Sequence, residues 1–455
     1  SVVISQKYSH IYFLGIGGIG MSALARYFNS KGKVVAGYDK TESSLTQSLV
    51  KEGIAIHYHD MGEQVNQLVA NKEQTLIVVT PAIPKDLGEW KLLEKEGYTI
   101  LKRAQVLGKI TEEWKTLAVA GTHGKTTTST LLAHVLSSTD VKCNAFLGGI
   151  SSNFNSNLLI EPSSPWMVVE ADEYDRSFHQ LKPFSAIVTS TDADHLDIYL
   201  NEKAMEQAFE EFVQLIDPKG SLIVHHSVQV GKDLNRITYG LGDILNVKYK
   251  GFNLRMKEGR FLMDLETPTA VHSDIELGLP GIHNAENAVA VIAMCESIGV
   301  NISEIRKALA DFKGVKRRFE LIAQKKDLIY IDDYAHHPTA IDSLVNSVRM
   351  IYKDYPIFLI FQPHLYSRTQ DFMSEFARSL SQADETILLP IYPAREEPIE
   401  GVTSEALAEK ITTKVSVKEP DEVLEYVKTL AHGVLLTVGA GNIDKLVEPM
   451  RRLLI

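Results

Sequence analysis

The chain has 455 residues, 44% of them hydrophobic and 23% charged, which is enough apolar mass for about three cores at ~150 residues each. Its net charge of −11 and pI near 5.8 exclude a general nucleic-acid binder, which needs a basic face. No apolar run approaches the ~20 residues that span a bilayer, and Cys143 and Cys295, in apolar surroundings without a CxxC spacing, read as reduced thiols of a cytoplasmic protein.

In chain order, "HIYFLGI" reads as a strand that leads through "GIGGIG" into a helix from about Met21. The stretch Ile11–Ala25 has the length of a signal-peptide core, but its four glycines and the helical pattern behind them fit strand–loop–helix. Gly15, Gly17 and Gly20 match GxGxxG, with Gly18 between them, and Asp39 ends the next strand, "KVVAGYD". The motif lets a pyrophosphate approach the backbone, and a UDP-sugar satisfies it as well as NAD does. Asp39 either binds a ribose hydroxyl or caps a turn. "TLIVVTP" is a further strand, and the first domain closes near Leu107–Glu113.

"WKTLAVAGTHGKTT" then opens a second domain. Backbone N–H groups from Gly121 to Lys125 can wrap phosphates, and the following helix offers its positive end. Lys125 can reach the β and γ phosphates, and the hydroxyl of Thr126 or Thr127 can coordinate Mg²⁺. Val119 stands where the full Walker pattern has glycine. The plainer alternative is a glycine turn that opens a helix.

A Mg-ATP site needs carboxylates at a strand end, and "VVEADEYD" supplies Glu170, Asp172 and Glu173. The next strand, "AIVTSTDADHLD", carries His195. A stretch from Ile237 to His272 looks like an antiparallel hairpin region. In "GIHNAENA", His283, Asn284 and Asn287 lie together, the two asparagines on one helical face. They can read an adenine edge or cap the helix.

"KGVKRRFE", residues 313–320, reads as a hinge, with Arg317 and Arg318 placed either to meet phosphate or to stay solvated. Beyond it, "DLIYIDDYAHHPTAI", "PIFLIFQPH", "ETILLPIY" and "GVLLTVGAG" form a third set of parallel strands. Polar clusters at their ends should face one crevice. The expectation is an α/β protein of three domains, 1–111, 112–314 and 315–455, each with a mainly parallel sheet.

The ordered series "GIGGIGMSALA", "GTHGKTTT", "EADEYDRSF", "ADHLD", "HNAENA", "KRRFE", "DDYAHHPTAI" and "FQPHLYSRT" resembles the Mur ligase family of peptidoglycan synthesis over essentially the whole chain. The resemblance implies a Rossmann-like UDP-binding domain, a central P-loop ATPase domain and a C-terminal Rossmann-like domain. It implies UDP-N-acetylmuramate and L-alanine as substrates, with ATP and Mg²⁺. The lactyl carboxylate would attack the γ-phosphate, and the acyl phosphate would then be opened by the alanine amine.

Position by position, the resemblance puts Gly15, Gly17, Gly18, Gly20 and Asp39 at the UDP-sugar. It puts Gly121, Thr122, His123, Gly124, Lys125, Thr126 and Thr127 at the ATP phosphates, with Asn284 and Asn287 at adenine. Arg318 and Asp333 would contact nucleotide, and Thr126, Glu170 and His195 would hold metal. Lys125, Glu170, His195 and Arg318 would carry the chemistry, and Tyr334, His336, His364 and Arg368 the amino-acid end. One departure stands out: some members carry Arg after the His of "FQPH", where this chain has Leu365. Two other readings compete. An NAD-dependent oxidoreductase leaves "GTHGKTT" unexplained, and a non-catalytic nucleotide sensor leaves Lys125, Glu170 and His195 without a purpose.

Overall fold

The computed structural model describes residues 3–192 and 202–455. Runs of apolar and β-branched residues too short for helices become strands buried on both faces, as parallel sheets demand. Three sheets result.

The first contains β1 (His10–Leu14), β2 (Val34–Tyr38), β3 (Ala55–His57), β4 (Thr75–Val79) and β5 (Thr99–Lys102), in the order β3-β2-β1-β4-β5. All its pairings are parallel. The order reverses at β1, so the loop that leaves β1, Gly15–Gly18, stands at a topological switch point.

The second sheet repeats the device. Its strands are β6 (Lys115–Ala120), β7 (Asn144–Phe146), β8 (Leu158–Leu159), β9 (Trp166–Ala171), β10 (Ser185–Val188), β11 (Leu222–His225), β12 (Arg236–Leu241), β13 (Tyr249–Lys257), β14 (Arg260–Glu266) and β15 (Val271–Leu277). β6 lies between β10 and β9, parallel to both, and its exit loop is Gly121–Gly124. The expected antiparallel region begins differently from its sequence pattern. β12 pairs with β13 in parallel, Tyr239 opposite Tyr249, and only from β13 onward do short turns fold neighbouring strands back. Glu258 and Gly259 make the β13–β14 turn, both at positive φ (53° and 77°), the signature of a tight hairpin.

The third sheet contains β16 (Glu320–Lys325), β17 (Asp327–Asp333), β18 (Ile357–Phe361), β19 (Glu385–Leu388), β20 (Lys414–Val417) and β21 (His432–Val438), ordered β16-β17-β21-β18-β19-β20. Only β16 is antiparallel to its neighbour.

Contacts divide the chain into two compact units. One holds the first two sheets; the other holds Lys313–Ile455 together with the short stretches Met256–Phe261 and Gly278–Asn284. The first two sheets therefore share a core. One apolar cluster runs from Ile4 and Phe13 through Tyr27 and Phe28 to Phe146, Met167 and Val230. Tyr27 packs on Phe146 with ring centroids 5.4 Å apart. Buried Asn157 ties the same junction: its Nδ2 donates to Ile19 O (2.7 Å) and Ser22 Oγ (3.1 Å), and Arg26 Nη1 donates to its Oδ1 (2.6 Å).

Candidate active site

The phosphate loop takes its shape from two glycines. Gly121 has φ +144°, and a Cβ there would lie 1.9 Å from Thr189 Oγ1; Gly124, at φ +76°, caps the helix Lys125–Ser137. Both conformations are costly for any other residue. The strand end after β10 braces the loop: Ser190 Oγ accepts from the His123 N–H (3.0 Å) and Ser190 O from the Thr122 N–H (3.2 Å). Thr122 and His123 thus spend their amides on the protein. The donors that face outward are those of the first helical turn, Lys125 to Thr127, where a helix has unsatisfied N–H groups and a positive dipole end.

Lys125 leans back over this loop. Its Nζ donates to Glu173 Oε2 at 2.8 Å and Oε1 at 3.1 Å and to Gly121 O at 3.3 Å, with Asp172 Oδ1 3.8 Å away. Glu173 is 1% exposed and Lys125 16%, so this is a nearly buried ion pair beside the glycine loop. Thr126 Oγ1 donates to Glu170 Oε2 at 2.9 Å. Glu170 itself lies so close to Gly148 that a Cβ there would meet its oxygen at 1.8 Å. A hydroxyl in the first turn of the helix after β6 and a carboxylate at the end of the adjacent strand β9 are hard oxygen donors of the kind Mg²⁺ takes. Among the described residues no group of three His, Cys, Asp or Glu forms a complete cage. The expected third ligand, His195, lies outside the described residues.

Asn287 is buried beside the loop, its Oδ1 3.3 Å from where a Gly124 Cβ would be. Asn284, one turn earlier on the helix Ile282–Ser297, donates from Nδ2 to Pro280 O (2.8 Å).

The first glycine loop is built otherwise. Gly15 (φ +95°) and Ile16 continue the β1 ladder, donating to Tyr38 O. Asp39 closes the loop, with Oδ2 accepting from the Gly17 N–H (2.8 Å) and Oδ1 from the Thr41 N–H (2.9 Å). A Cβ on Gly17 would lie 2.7 Å from that carboxylate. Donors for a ligand therefore come from the first turn of the helix Ile19–Ser30. A cavity of about 260 Å³ joins this turn to the second sheet. Gly18, Ile19 and Gly20 line one side and Glu170 and Asp172 the other.

At the third sheet, β17 and β18 deliver the C-terminal residues. Asp333 accepts from the Phe319 N–H (2.7 Å) and the Ala335 N–H (3.0 Å); burial raises its pKa, and these bonds oppose the rise. Arg318 stacks over the Tyr334 ring at 4.8 Å, while Arg317 is consumed internally by Gly439 O (2.6 and 2.8 Å) and buried Asp332 (3.2 Å). Burial pushes Asp332 up to about 6, against the pull of Arg317.

Tyr334, His336, His364 and Arg368 come together. The His336 ring lies 5.7 Å from that of Tyr334 and 6.0 Å from that of His364. Arg368 Nη1 donates to His364 Nδ1 at 3.0 Å, which places the His364 proton on Nε2. Burial first and Arg368 second lower the pKa of His364; burial likewise lowers that of His336. Both imidazoles are thus kept neutral beside a permanent cation. Leu365, next to His364, has φ +73°, a left-handed conformation that is strained for a leucine. Its N–H donates to Tyr392 O (2.8 Å), and the Tyr392 ring stacks on His364 at 5.6 Å.

Sequence reasoning passed over Ser190, Tyr392 and Arg103. Each is one polar or aromatic residue without a motif, and its place shows only once distant strand ends are adjacent. Glu173 was visible among the three carboxylates, but nothing in its spacing tied it to Lys125.

Two switch-point glycine loops, the second leading into Lys125, and a third, mainly parallel sheet with a cationic strand end mark a three-part nucleotide-dependent ligase scaffold. The chain belongs to the Mur ligase family. Three family models match it: "Mur ligase family, catalytic domain" over residues 10–115, "Mur ligase middle domain" over 119–295 and "Mur ligase, glutamate ligase domain" over 317–441. It is 47% identical over 454 residues to a UDP-N-acetylmuramate–L-alanine ligase of Porphyromonas gingivalis, covering 98% of each chain. The crystal structure of UDP-N-acetylmuramate–alanine ligase from Thermotoga maritima matches with TM-score 0.80 at 28% identity, over 97% of this chain and 98% of that one. A murein peptide ligase from Psychrobacter arcticus shares the fold, with TM-score 0.67 and 24% identity over 98% of both chains.

Proposed function

We infer that this protein ligates L-alanine to the lactyl carboxylate of UDP-N-acetylmuramate at the expense of ATP, through an acyl phosphate, in peptidoglycan precursor synthesis. The observation that carries the reading is the cavity that joins the helix turn after Gly18 to Glu170 at the phosphate loop. It gives a sugar-borne carboxylate a path to the γ-phosphate.

The carboxylate oxygen attacks phosphorus and ADP leaves. The amine then attacks the acyl carbon, phosphate leaves, and the amine gives up a proton. A carboxylate becomes a competent acyl donor once its oxygen carries phosphate. Lys125 exchanges Glu173 for phosphate oxygens and neutralises charge as two anions meet. The amides of Lys125 to Thr127 hold the phosphates, and Asn287 and Asn284 lie along the nucleotide side. Thr126 and Glu170 would hold Mg²⁺, with His195 as the third ligand; the ion would supply charge neutralisation for the phosphates. Arg318 and Asp333 serve the nucleotide from the third domain. Arg368 binds the alanine carboxylate, with His364, His336 and Tyr334 shaping a pocket for a small side chain. The 112–314 and 315–455 boundaries make the third domain the bearer of the amino acid. Nucleic acid has no part in this chemistry, and the nucleotide substrates put the proposed reaction in the cytoplasm; no helix among the described residues is long and apolar enough to cross a membrane.

Phosphate release with UDP-N-acetylmuramate, ATP and a panel of acceptors tests the reading. L-Alanine should be preferred, with glycine and serine slower by about 10- to 200-fold, the range that one methyl or hydroxyl gives. Faster ligation of the tripeptide L-Ala-γ-D-Glu-meso-diaminopimelate would assign the chain to peptide recycling.

A further inference from the structure

The cavity beside the first glycine loop holds one more charged group, Arg103, the first residue of the helix Arg103–Thr111 that follows β5. Arg103 is half-buried, and among the described residues it forms no hydrogen bond or ion pair, although Glu170 and Asp172 line the same cavity. A guanidinium that lines a cavity without a protein partner leaves its fork of donors available to an anion.

Its position is also enforced from across the loop. A Cβ on Gly20 would stand 3.0 Å from Arg103 Cδ and 3.2 Å from Nη1. Gly20 thus makes room for this side chain, in addition to opening the helix Ile19–Ser30 whose outward amides are set for the pyrophosphate. With those amides engaged, the anion left for Arg103 is the one that must face Glu170.

We propose that Arg103 binds the lactyl carboxylate of the nucleotide sugar and holds it toward the phosphate loop before transfer. Arginine suits the task, because its planar fork takes both oxygens of a carboxylate and leaves one lone pair of each to react. The residue is then what tells a UDP-sugar with a carboxylate from one without. The inference rests on the proposed function.

Calorimetric titration of the full chain with UDP, UDP-N-acetylglucosamine and UDP-N-acetylmuramate separates the possibilities, with ATP binding as a control for folding. Arg103→Met should weaken UDP-N-acetylmuramate by about 10- to 100-fold, the scale of a lost charge-assisted pair, and Arg103→Lys by less. Both variants should bind UDP and UDP-N-acetylglucosamine within about twofold of wild type. Equal weakening of all three ligands would place Arg103 on the pyrophosphate and overturn the inference. No weakening of any, or loss of ATP binding as well, would overturn it too. A wild-type chain that binds neither UDP-sugar would instead sink the functional reading itself.

Discussion

The two glycine loops leave equivalent strands, each at the point where its sheet reverses order, yet they are braced by opposite chemistry. At the first, a carboxylate, Asp39, accepts the amides of Gly17 and Thr41. At the second, hydroxyl and carbonyl oxygens of the β10 exit take the amides of Thr122 and His123, and the charge is a lysine's. The first loop is closed by a fixed carboxylate, the second is overlain by a lysine paired with Glu173. On the proposed function, the first would receive the anion that does not react and the second the one that does.

The largest expected effect strikes the second loop. Lys125→Ala should lower turnover by about 10²-fold or more, the scale for one strong transition-state donor, while UDP-N-acetylmuramate binding stays near wild type. A variant that folds normally and turns over at the wild-type rate would erase the contrast between the loops. Glu170→Gln should cost somewhat less, about 10- to 100-fold at saturating Mg²⁺, and should raise the Mg²⁺ concentration needed for half-maximal rate. A metal titration superimposable on wild type would remove Glu170 from the site.

At the third sheet, Arg368→Ala should raise the KM for alanine by about tenfold or more and leave that for ATP nearly unchanged. Because Arg368 donates to His364 Nδ1, protonating that atom breaks the bond. The lowered pKa of His364 puts this event below the ordinary histidine value of about 6.5, so the alanine KM should climb only on the acid side of it. The smallest effect belongs to the first loop. Asp39→Ala strands two amides and should destabilise the first unit by about 1–3 kcal/mol, read from denaturant unfolding. UDP-sugar affinity should fall severalfold and ATP affinity should hold; the reverse pattern would invert the comparison.

Much of this was legible beforehand, for physical reasons. β1, β4, β6, β9 and β18 each carry at least four consecutive apolar residues, as a strand buried on both faces requires. Gly15, Gly121 and Gly124 are legible because positive φ favours glycine, and Gly17 and Gly20 because a neighbour approaches closely; Gly18, at φ −66°, shows neither. Asp39 was readable only as one of two roles; in this structure its carboxylate accepts from the Gly17 amide. The parallel pairing of β12 with β13 escaped because strand direction depends on how the seven-residue connection 242–248 runs, to which residue alternation is blind. Arg103, Ser190 and the junction at Asn157 escaped for a related reason: each acts across more than sixty residues of sequence, where composition carries no distance.

That junction has a consequence for how the molecule can be taken apart. Tyr27 and Phe28 are 1% and 0% exposed because the second sheet's share of the common core covers their side of the first. A polypeptide that ended at Thr111 would turn these rings toward water, with Arg26 and the Ile19 carbonyl deprived of Asn157. Such a fragment should aggregate when made alone. Supplied with the remainder of the chain as a separate polypeptide, it has a ready apolar face and three hydrogen bonds to Asn157 by which to find its other half, so a break at that point makes this ligase a candidate for reassembly in trans.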